Sequence, residues 1–143
     1  MNLLVPDASV AAKWFLPAKD EPLADEAFRL FHQYTLGEIR FVIPDLFWAE
    51  VGNLLWKAVR RGRCSNAAAE KALASLGECK LRTVSSLTIL DMAFRIATAF
   101  DRTVYDSLYV ALAVHSKGQL VTADEHLANS LAAHFPVKWL GTM

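Results

Sequence analysis

Four acidic residues stand where their side chains could bind a metal ion together: Asp7, Glu50, Asp106 and Asp124. Asp7 and Asp124 each follow an apolar run that predicts a strand, and Asp106 begins an apolar helix. Parallel α/β sheets place their ligand sites outside the carboxyl ends of strands, so these three acids are directed toward one edge. Glu50, in the second turn of another helix and bordering its apolar face, can lean over the same edge.

The residue types indicate which ion would fit. Carboxylates that converge in a cleft repel one another, which raises their pKa values and destabilises the fold unless a cation neutralises them. A ligand set of oxygens, without His or Cys at suitable spacing, favours Mg²⁺ or Mn²⁺ over zinc. Ser9 and Thr122, each two residues from an acid, could add hydroxyl ligands, hold the carboxylates through hydrogen bonds, or cap helices.

Each acid taken alone also has a structural explanation. Asp7 could cap the helix that follows it. Asp106 is the third helical residue in a predicted capping box that starts at Thr103, and Asp124 falls in the first turn of a predicted helix. Glu50 could be an ordinary solvated residue. Only the joint placement of the acids favours a shared site.

The two cysteines do not suit a structural zinc site. Cys64 and Cys79 bracket a predicted helix at residues 65–78, whose rise of ~1.5 Å per residue would separate them by about 20 Å. A disulfide needs Cα atoms within ~7 Å of each other. We therefore expect two free thiols.

The elements that would position the acids alternate along the chain. Such alternation predicts an α/β fold with a mostly parallel sheet covered on both faces, and the length suits one domain over residues 1–143. The apolar patterns predict strands at residues 3–5, 40–43, 81–84, 119–122 and 137–140, and helices at residues 8–16, 21–34, 46–61, 65–78, 88–100, 104–116 and 124–134.

The composition limits the partners that the chain can have. Lys plus Arg equals Asp plus Glu, 15 of each, so any contact with nucleic acid needs a local basic patch. The apolar content is high, at 54%, and Trp48 and Trp56 fall off the main apolar face of their helix, so we expect a partner to cover some of this surface. The sequence contains no targeting segment and no apolar run near the ~18 residues of a membrane span, which predicts a cytoplasmic protein with no membrane partner.

Six sequence motifs resemble, in order, those of the PIN-domain family, and of its VapC-type toxin ribonucleases in particular. The resemblance spans the whole chain; Pro6, where a strand-forming residue is more usual, and Ser107, where Ala is common, depart from the pattern without removing an acid. The motifs are DASV at 7–10, KWF at 13–15, PDL at 44–46, EVGNLL at 50–55, YDSLYVALA at 105–113 and LVTAD at 120–124.

The resemblance implies both a fold and an activity. The fold would be a three-layer α/β/α sandwich around a five-stranded parallel sheet. The activity would be hydrolysis of RNA phosphodiester bonds by one or two Mg²⁺ or Mn²⁺ ions held by Asp7, Glu50, Asp106 and Asp124. The resemblance further implies a homodimer and a cognate antitoxin protein as a partner.

One basic stripe could guide the RNA. Lys57 and Arg61 fall within about 20° of Glu50 around their helix, about 10 and 16 Å further along its axis. They could hold phosphates that flank the cut site, or they could complement the helix dipole near the last turn.

Two other functions remain open from the residues alone. A receiver-like or phosphoryl-transfer α/β domain would also place Asp7 after its first strand, with Thr122 and Lys138 on late strands, but it would not need Glu50 or Asp106. A nuclease-like module could bind RNA or a protein without cutting, although the presence of all four acids argues against such a degenerate domain.

Overall fold

A parallel sheet of five strands forms the centre of the molecule, in the order β3-β2-β1-β4-β5. The structure is a computed structural model that describes residues 2–143. All four strand pairs are parallel, which confirms the predicted sheet. The strands are β1 (Asn2–Pro6), β2 (Ile39–Pro44), β3 (Arg82–Val84), β4 (Gln119–Thr122) and β5 (Val137–Trp139).

Helices connect consecutive strands and flank the sheet, as in the predicted three-layer sandwich. The chain also contains two short 3₁₀ helices, at Ala18–Asp20 and Leu140–Thr142. Crossovers between parallel strands are right-handed, so the helices before β3 cover one face and those after it cover the other. The helices are α1 (Ala8–Ala12), α2 (Ala24–Thr35), α3 (Leu46–Arg60), α4 (Asn66–Glu78), α5 (Ser86–Phe100), α6 (Val104–Ser116) and α7 (Glu125–Leu131).

The strand order creates a crevice beside the central strand. From β1 the chain proceeds to β2 on one side, whereas from β4 it proceeds to β5 on the other. The connections therefore diverge at the carboxyl ends of β1 and β4, which is where ligands bind in open α/β sheets. The backbone N–H of Asp7 donates to the Val121 carbonyl oxygen at 3.1 Å and joins the two strand ends.

Three predicted helices are shorter in the structure than the apolar patterns suggested. α1 ends at Ala12 and continues as a tight turn, and α7 ends at Leu131 rather than at residue 134. α2 begins at Ala24, not at residue 21, because Pro22 disfavours a helical conformation at Glu21, which is extended. The remaining predicted elements are present with boundaries shifted by at most two residues.

α6 is deeply buried over its middle, as its apolar sequence predicted. Its residues 107–113 are all buried, and it contacts β1, β2 and β4 as well as α5. Ser107 is fully buried there, and within the described chain its hydroxyl has no hydrogen-bond partner. A buried hydroxyl without a partner costs free energy, since it has lost its hydrogen bonds to water.

Replacing Ser107 by Ala is therefore expected to stabilise the protein by about 1 kcal/mol. Urea unfolding followed by circular dichroism measures the change in the free energy of unfolding. Ser116→Ala is a matched control on the same helix. The Ser116 hydroxyl donates to the Leu112 carbonyl oxygen, so its removal should not give this gain in stability. A Ser107→Ala protein less stable than the parent would contradict the unsatisfied state of this hydroxyl.

Two further expectations can be compared with the structure. Cys64 and Cys79 are free thiols, as predicted. Within residues 2–143, none of the helices has both the length and the apolar character that crossing a membrane requires.

Candidate active site

A cleft of about 440 Å³ opens at the crevice between β1 and β4, and all four predicted acids line it. α3 contributes one face, because its cleft residues recur every three or four positions. α1, α6 and α7 contribute the rest. The lining residues are Asp7, Ala8, Ser9, Leu46, Ala49, Glu50, Asn53, Leu54, Lys57, Tyr105, Asp106, Tyr109, Asp124 and Leu127.

Asp7 is the most deeply placed of the four acids. It directly follows β1 and is buried, with only 9% of its surface exposed. Burial raises the pKa of its carboxyl group to about 6, and the nearby Glu50 adds to this rise, although hydrogen bonds from Ser9, Thr122 and the Val10 N–H oppose it. The neighbouring hydrogen-bond donors therefore do not fully compensate for the burial of an ionised Asp7 carboxylate.

The hydroxyl groups of Ser9 and Thr122 form hydrogen bonds at the edge of the cleft. The Ser9 hydroxyl donates to Asp7 Oδ1 at 2.5 Å and accepts from the Ala123 N–H at 3.3 Å, so it links the ends of β1 and β4. Thr122 is fully buried, and its Oγ1 accepts from the Asp124 N–H at 3.1 Å. These contacts fit the predicted role of holding the carboxylates in place.

Glu50 is held by a residue that the sequence analysis did not single out. The buried Tyr109 hydroxyl donates to Glu50 Oε1 at 2.6 Å. Burial and the adjacent Glu50 carboxylate raise the pKa of Tyr109, so its hydroxyl stays protonated as a donor. Tyr109 lies three residues after Asp106 on α6, and that spacing on one helix face was the available signal.

The other two acids are each held by a local partner. Asp106 Oδ2 forms an ion pair at 3.3 Å with Arg102, four residues earlier, and the Asp106 N–H is capped by Thr103 as the predicted capping box requires. Asp124 is exposed and is itself the N-cap of α7, accepting from the Leu127 N–H at 3.1 Å. Asp124 therefore precedes the helix instead of lying in its first turn.

The acids line one cleft without forming a compact cluster. Among the residues that the structure describes, no three side chains of Asp, Glu, His or Cys stand close enough to hold a metal ion together. The expected convergence is therefore incomplete: the carboxylates of Glu50, Asp106 and Asp124 each contact a separate neighbouring donor. Asp7 likewise accepts from the Val10 N–H as the N-cap of α1.

The donor set nevertheless fits a hard divalent cation. The cleft offers carboxylate oxygens, with no His or Cys among its lining residues. Oxygen ligands of this kind suit Mg²⁺ and Mn²⁺. A buried carboxyl group with a raised pKa beside a second acid is the electrostatic environment that such a cation would relieve.

Comparison with known proteins identifies the family. The PIN domain pattern matches residues 4–130. The chain belongs to the PIN-domain family. It is similar to ribonuclease VapC3 of Pyrobaculum aerophilum, with 36% identity over 133 residues that cover 91% of this chain and 95% of the relative.

Solved structures of other proteins share the PIN fold. PAE2754 from Pyrobaculum aerophilum superposes with a TM-score of 0.70 at 26% identity, covering 99% of this chain and 92% of the other. Mycobacterium tuberculosis VapC20, a sarcin-ricin loop cleaving toxin, gives 0.67 at 19% identity, covering 92% and 95%. A toxin–antitoxin complex from Klebsiella pneumoniae gives 0.59 at 13% identity, with 96% of each chain covered. These likenesses confirm the predicted fold.

A basic groove adjoins the acid cleft of this PIN domain. We use this name for the depression of about 200 Å³ that contains Lys13, Glu21, Lys57, Arg61 and Arg63. Lys57 lines both the cleft and the groove, whereas Arg61 lines the groove and not the cleft. The predicted stripe therefore does lead away from the acids.

The floor of the basic groove is held by an ion network that sequence reasoning missed. The carboxylate of Glu21, only 10% exposed, pairs with Lys13 Nζ at 3.2 Å and with the Arg63 guanidinium. Arg63 lies 42 residues after Glu21 in the sequence, so no local spacing pattern could have indicated its part in the network. It holds two cations in place beside the cleft.

Proposed function

We propose that this PIN-domain protein is a metal-dependent endoribonuclease that hydrolyses RNA phosphodiester bonds, and that it is the toxin of a toxin–antitoxin pair. The observation that carries the proposal is the cleft at the β1–β4 crevice, lined by Asp7, Glu50, Asp106 and Asp124 in a chain of this family. The similarity to a relative named as a ribonuclease supports RNA as the substrate.

Asp7 and Glu50 are the best-placed ligands for Mg²⁺ or Mn²⁺. Asp7 stands at the bottom of the cleft, and Tyr109 occupies one oxygen of Glu50 and leaves the other free. Asp106 and Asp124 would complete the site on exchanging their present partners for the ion. When bound, one or two such ions polarise a phosphate and generate hydroxide from water near neutral pH.

The remaining polar groups of the cleft position the metal-binding carboxylates and the RNA. Ser9 and Thr122 hold the carboxylate of Asp7 in one direction, and Tyr109 does the same for Glu50. Such hydrogen-bonded support keeps a ligand set in place through the reaction. Lys57, at the margin between the cleft and the basic groove, is placed to contact a phosphate next to the cut site.

Changing both Lys57 and Arg61 to Ala is expected to weaken RNA binding about equally for all sequences. Each lost contact to single-stranded RNA should lower the slope of log affinity against log salt by ~0.7, so the pair should lower it by about 1.4. Fluorescence anisotropy over a salt series measures this slope. The matched control changes the exposed Arg40 and Lys71, which lie outside the groove, and should leave the slope unchanged. An unaltered slope for the first pair would assign Lys57 and Arg61 to helix stabilisation instead.

An antitoxin and a second copy of the chain are the proposed protein partners. Trp56 is 53% exposed on α3, with the Arg60 guanidinium 5.0 Å from its ring centre, so it offers an aromatic contact beside the cleft. Trp48 is half-buried and its indole N–H donates to Thr83 Oγ1 at 3.2 Å, so this side chain is partly packed within the protein and offers less surface to a partner. Leu87 and Leu90 are exposed on one side of α5 and supply apolar surface for a homodimer.

Incubation of the purified protein with RNA in Mg²⁺, Mn²⁺ or EDTA tests the proposal. Cleavage that needs the cation is the expected result, and intact RNA under every condition would overturn it. The phosphoryl-transfer alternative predicts labelling by acyl phosphates instead. Its candidate Lys138 does not line the acid cleft but lies in a depression with Asn2 and Gln119, which disfavours that alternative.

A further inference from the structure

One aromatic side chain of the cleft remains unexplained by the fold and by the metal chemistry. Tyr105 is 61% exposed in the first turn of α6, immediately before Asp106. The exposed aromatic side chains described in residues 2–143 are Phe28, Trp56, Phe94 and Tyr105, and only Tyr105 lines the cleft. Exposing an aromatic ring forgoes the free energy that its burial would provide.

The surroundings of Tyr105 suit an uncharged, flat ligand. Four carboxylates line the same cleft and repel a phosphate that no cation accompanies, whereas a nucleobase carries no charge. Leu46 and Ala49 of α3 add apolar surface to the cleft wall. A volume of about 440 Å³ lies within the range of sites for ligands of nucleotide size.

We infer that Tyr105 is the stacking platform for an unpaired nucleobase next to the scissile phosphate. Its ring lies one residue from a proposed metal ligand, so a base stacked on it would fix the register of the strand over the acids. Stacking on an aromatic ring tolerates all four bases, since every base has a π-face. Single-stranded RNA is therefore the substrate class, and the inference rests on the proposed ribonuclease function.

Binding of a 5′-fluorescein-labelled, single-stranded oligoribonucleotide of about eight nucleotides tests this inference. We would measure it in Mg²⁺ on the Asp7→Asn protein, so that the probe stays intact. Tyr105→Ala is expected to weaken binding about 5- to 150-fold, the loss of one base–aromatic stack, whereas Tyr105→Phe stays within about twofold because it keeps the ring. Phe28→Ala, which removes an exposed aromatic ring outside the cleft, is the matched control.

A second measurement separates stacking from a general loss of affinity. In a set of probes that each carry one abasic nucleotide, one position should be found where removal of the base lowers the affinity about 5- to 150-fold with Tyr105 present and hardly at all in Tyr105→Ala. Equal affinity of Tyr105→Ala and its parent, or an equal loss in Tyr105→Phe, would overturn the inference. Wild-type protein that neither binds nor cuts RNA would overturn the proposed function itself, and unimpaired Tyr105→Ala with active wild type would overturn the stacking role alone.

Discussion

Asp7→Asn is expected to lower the rate of RNA cleavage by roughly 10²- to 10⁴-fold, because it removes the ligand at the bottom of the cleft and several kcal/mol of transition-state stabilisation with it. The substitution keeps the shape of the side chain, and the amide oxygen can still accept from Ser9 and Val10. Initial rates at saturating Mg²⁺ measure the effect. A variant that cuts RNA at the wild-type rate would contradict the assignment of the metal site.

The same substitution should stabilise the protein when no metal is present. The pKa of Asp7 is raised from 3.8 to about 6 in the folded state, so its ionisation opposes folding. This penalty is absent below pH ~4, grows up to pH ~6 and is complete above it, where it reaches at most about 3 kcal/mol. Melting temperatures in EDTA should therefore be higher for Asp7→Asn at pH 8 and equal for the two proteins near pH 4. Glu38→Gln, an exposed substitution outside the cleft, serves as the control for charge removal.

The second large effect is a dependence of metal affinity on pH. A cation must displace the proton from Asp7, so the apparent affinity for Mg²⁺ should fall about tenfold for each pH unit below ~6 and level off above pH ~7. Cleavage rates over a Mg²⁺ series at pH 5, 6, 7 and 8 give the half-saturating concentration at each pH. Circular dichroism at pH 5 shows whether the fold persists there.

Ser9 provides an internal check on this dependence. Its hydrogen bond lowers the pKa of Asp7, so Ser9→Ala should raise that pKa and move the affinity curve to higher pH. If Ser9 were unrelated to the titrating group, the curve would not move. A half-saturating concentration that is constant from pH 5 to pH 8 would show that Asp7 does not bind the cation.

Much of this architecture could be predicted because it depends on local pattern. α6 was predicted with its correct bounds. Its burial was predicted as well, because a helix that is apolar nearly all round is buried. α3 and α4 end and begin within one residue of their predicted bounds, and the structure adds that Ser65 caps α4 and that Gly62 follows α3 at φ +72. The pattern predicted too long a helix at α1, α2 and α7, which the turn after Ala12, Pro22 and the end of α7 at Leu131 shorten.

The meeting of the acids at one edge was also predictable, but their arrangement was not. Asp7 and Asp124 follow parallel strands, and the carboxyl ends of such strands share an edge. That β1 and β4 are neighbours, so that the edge becomes a crevice, depends on the order of strands in the sheet. This order results from packing between residues more than a hundred positions apart, which no local pattern encodes.

By itself, the sequence determined which side chains could do chemistry, the elements that carry them and the family to which the chain belongs. Only the tertiary structure decided that Tyr109 holds Glu50, whereas the partners of Asp106 and Asp124 lie within four residues of them in the sequence. It also decided that Tyr105 faces the cleft while most other aromatic rings pack inside. The physical reason is that backbone conformation follows from neighbours in the chain, whereas the contacts of a side chain follow from whatever the fold brings beside it.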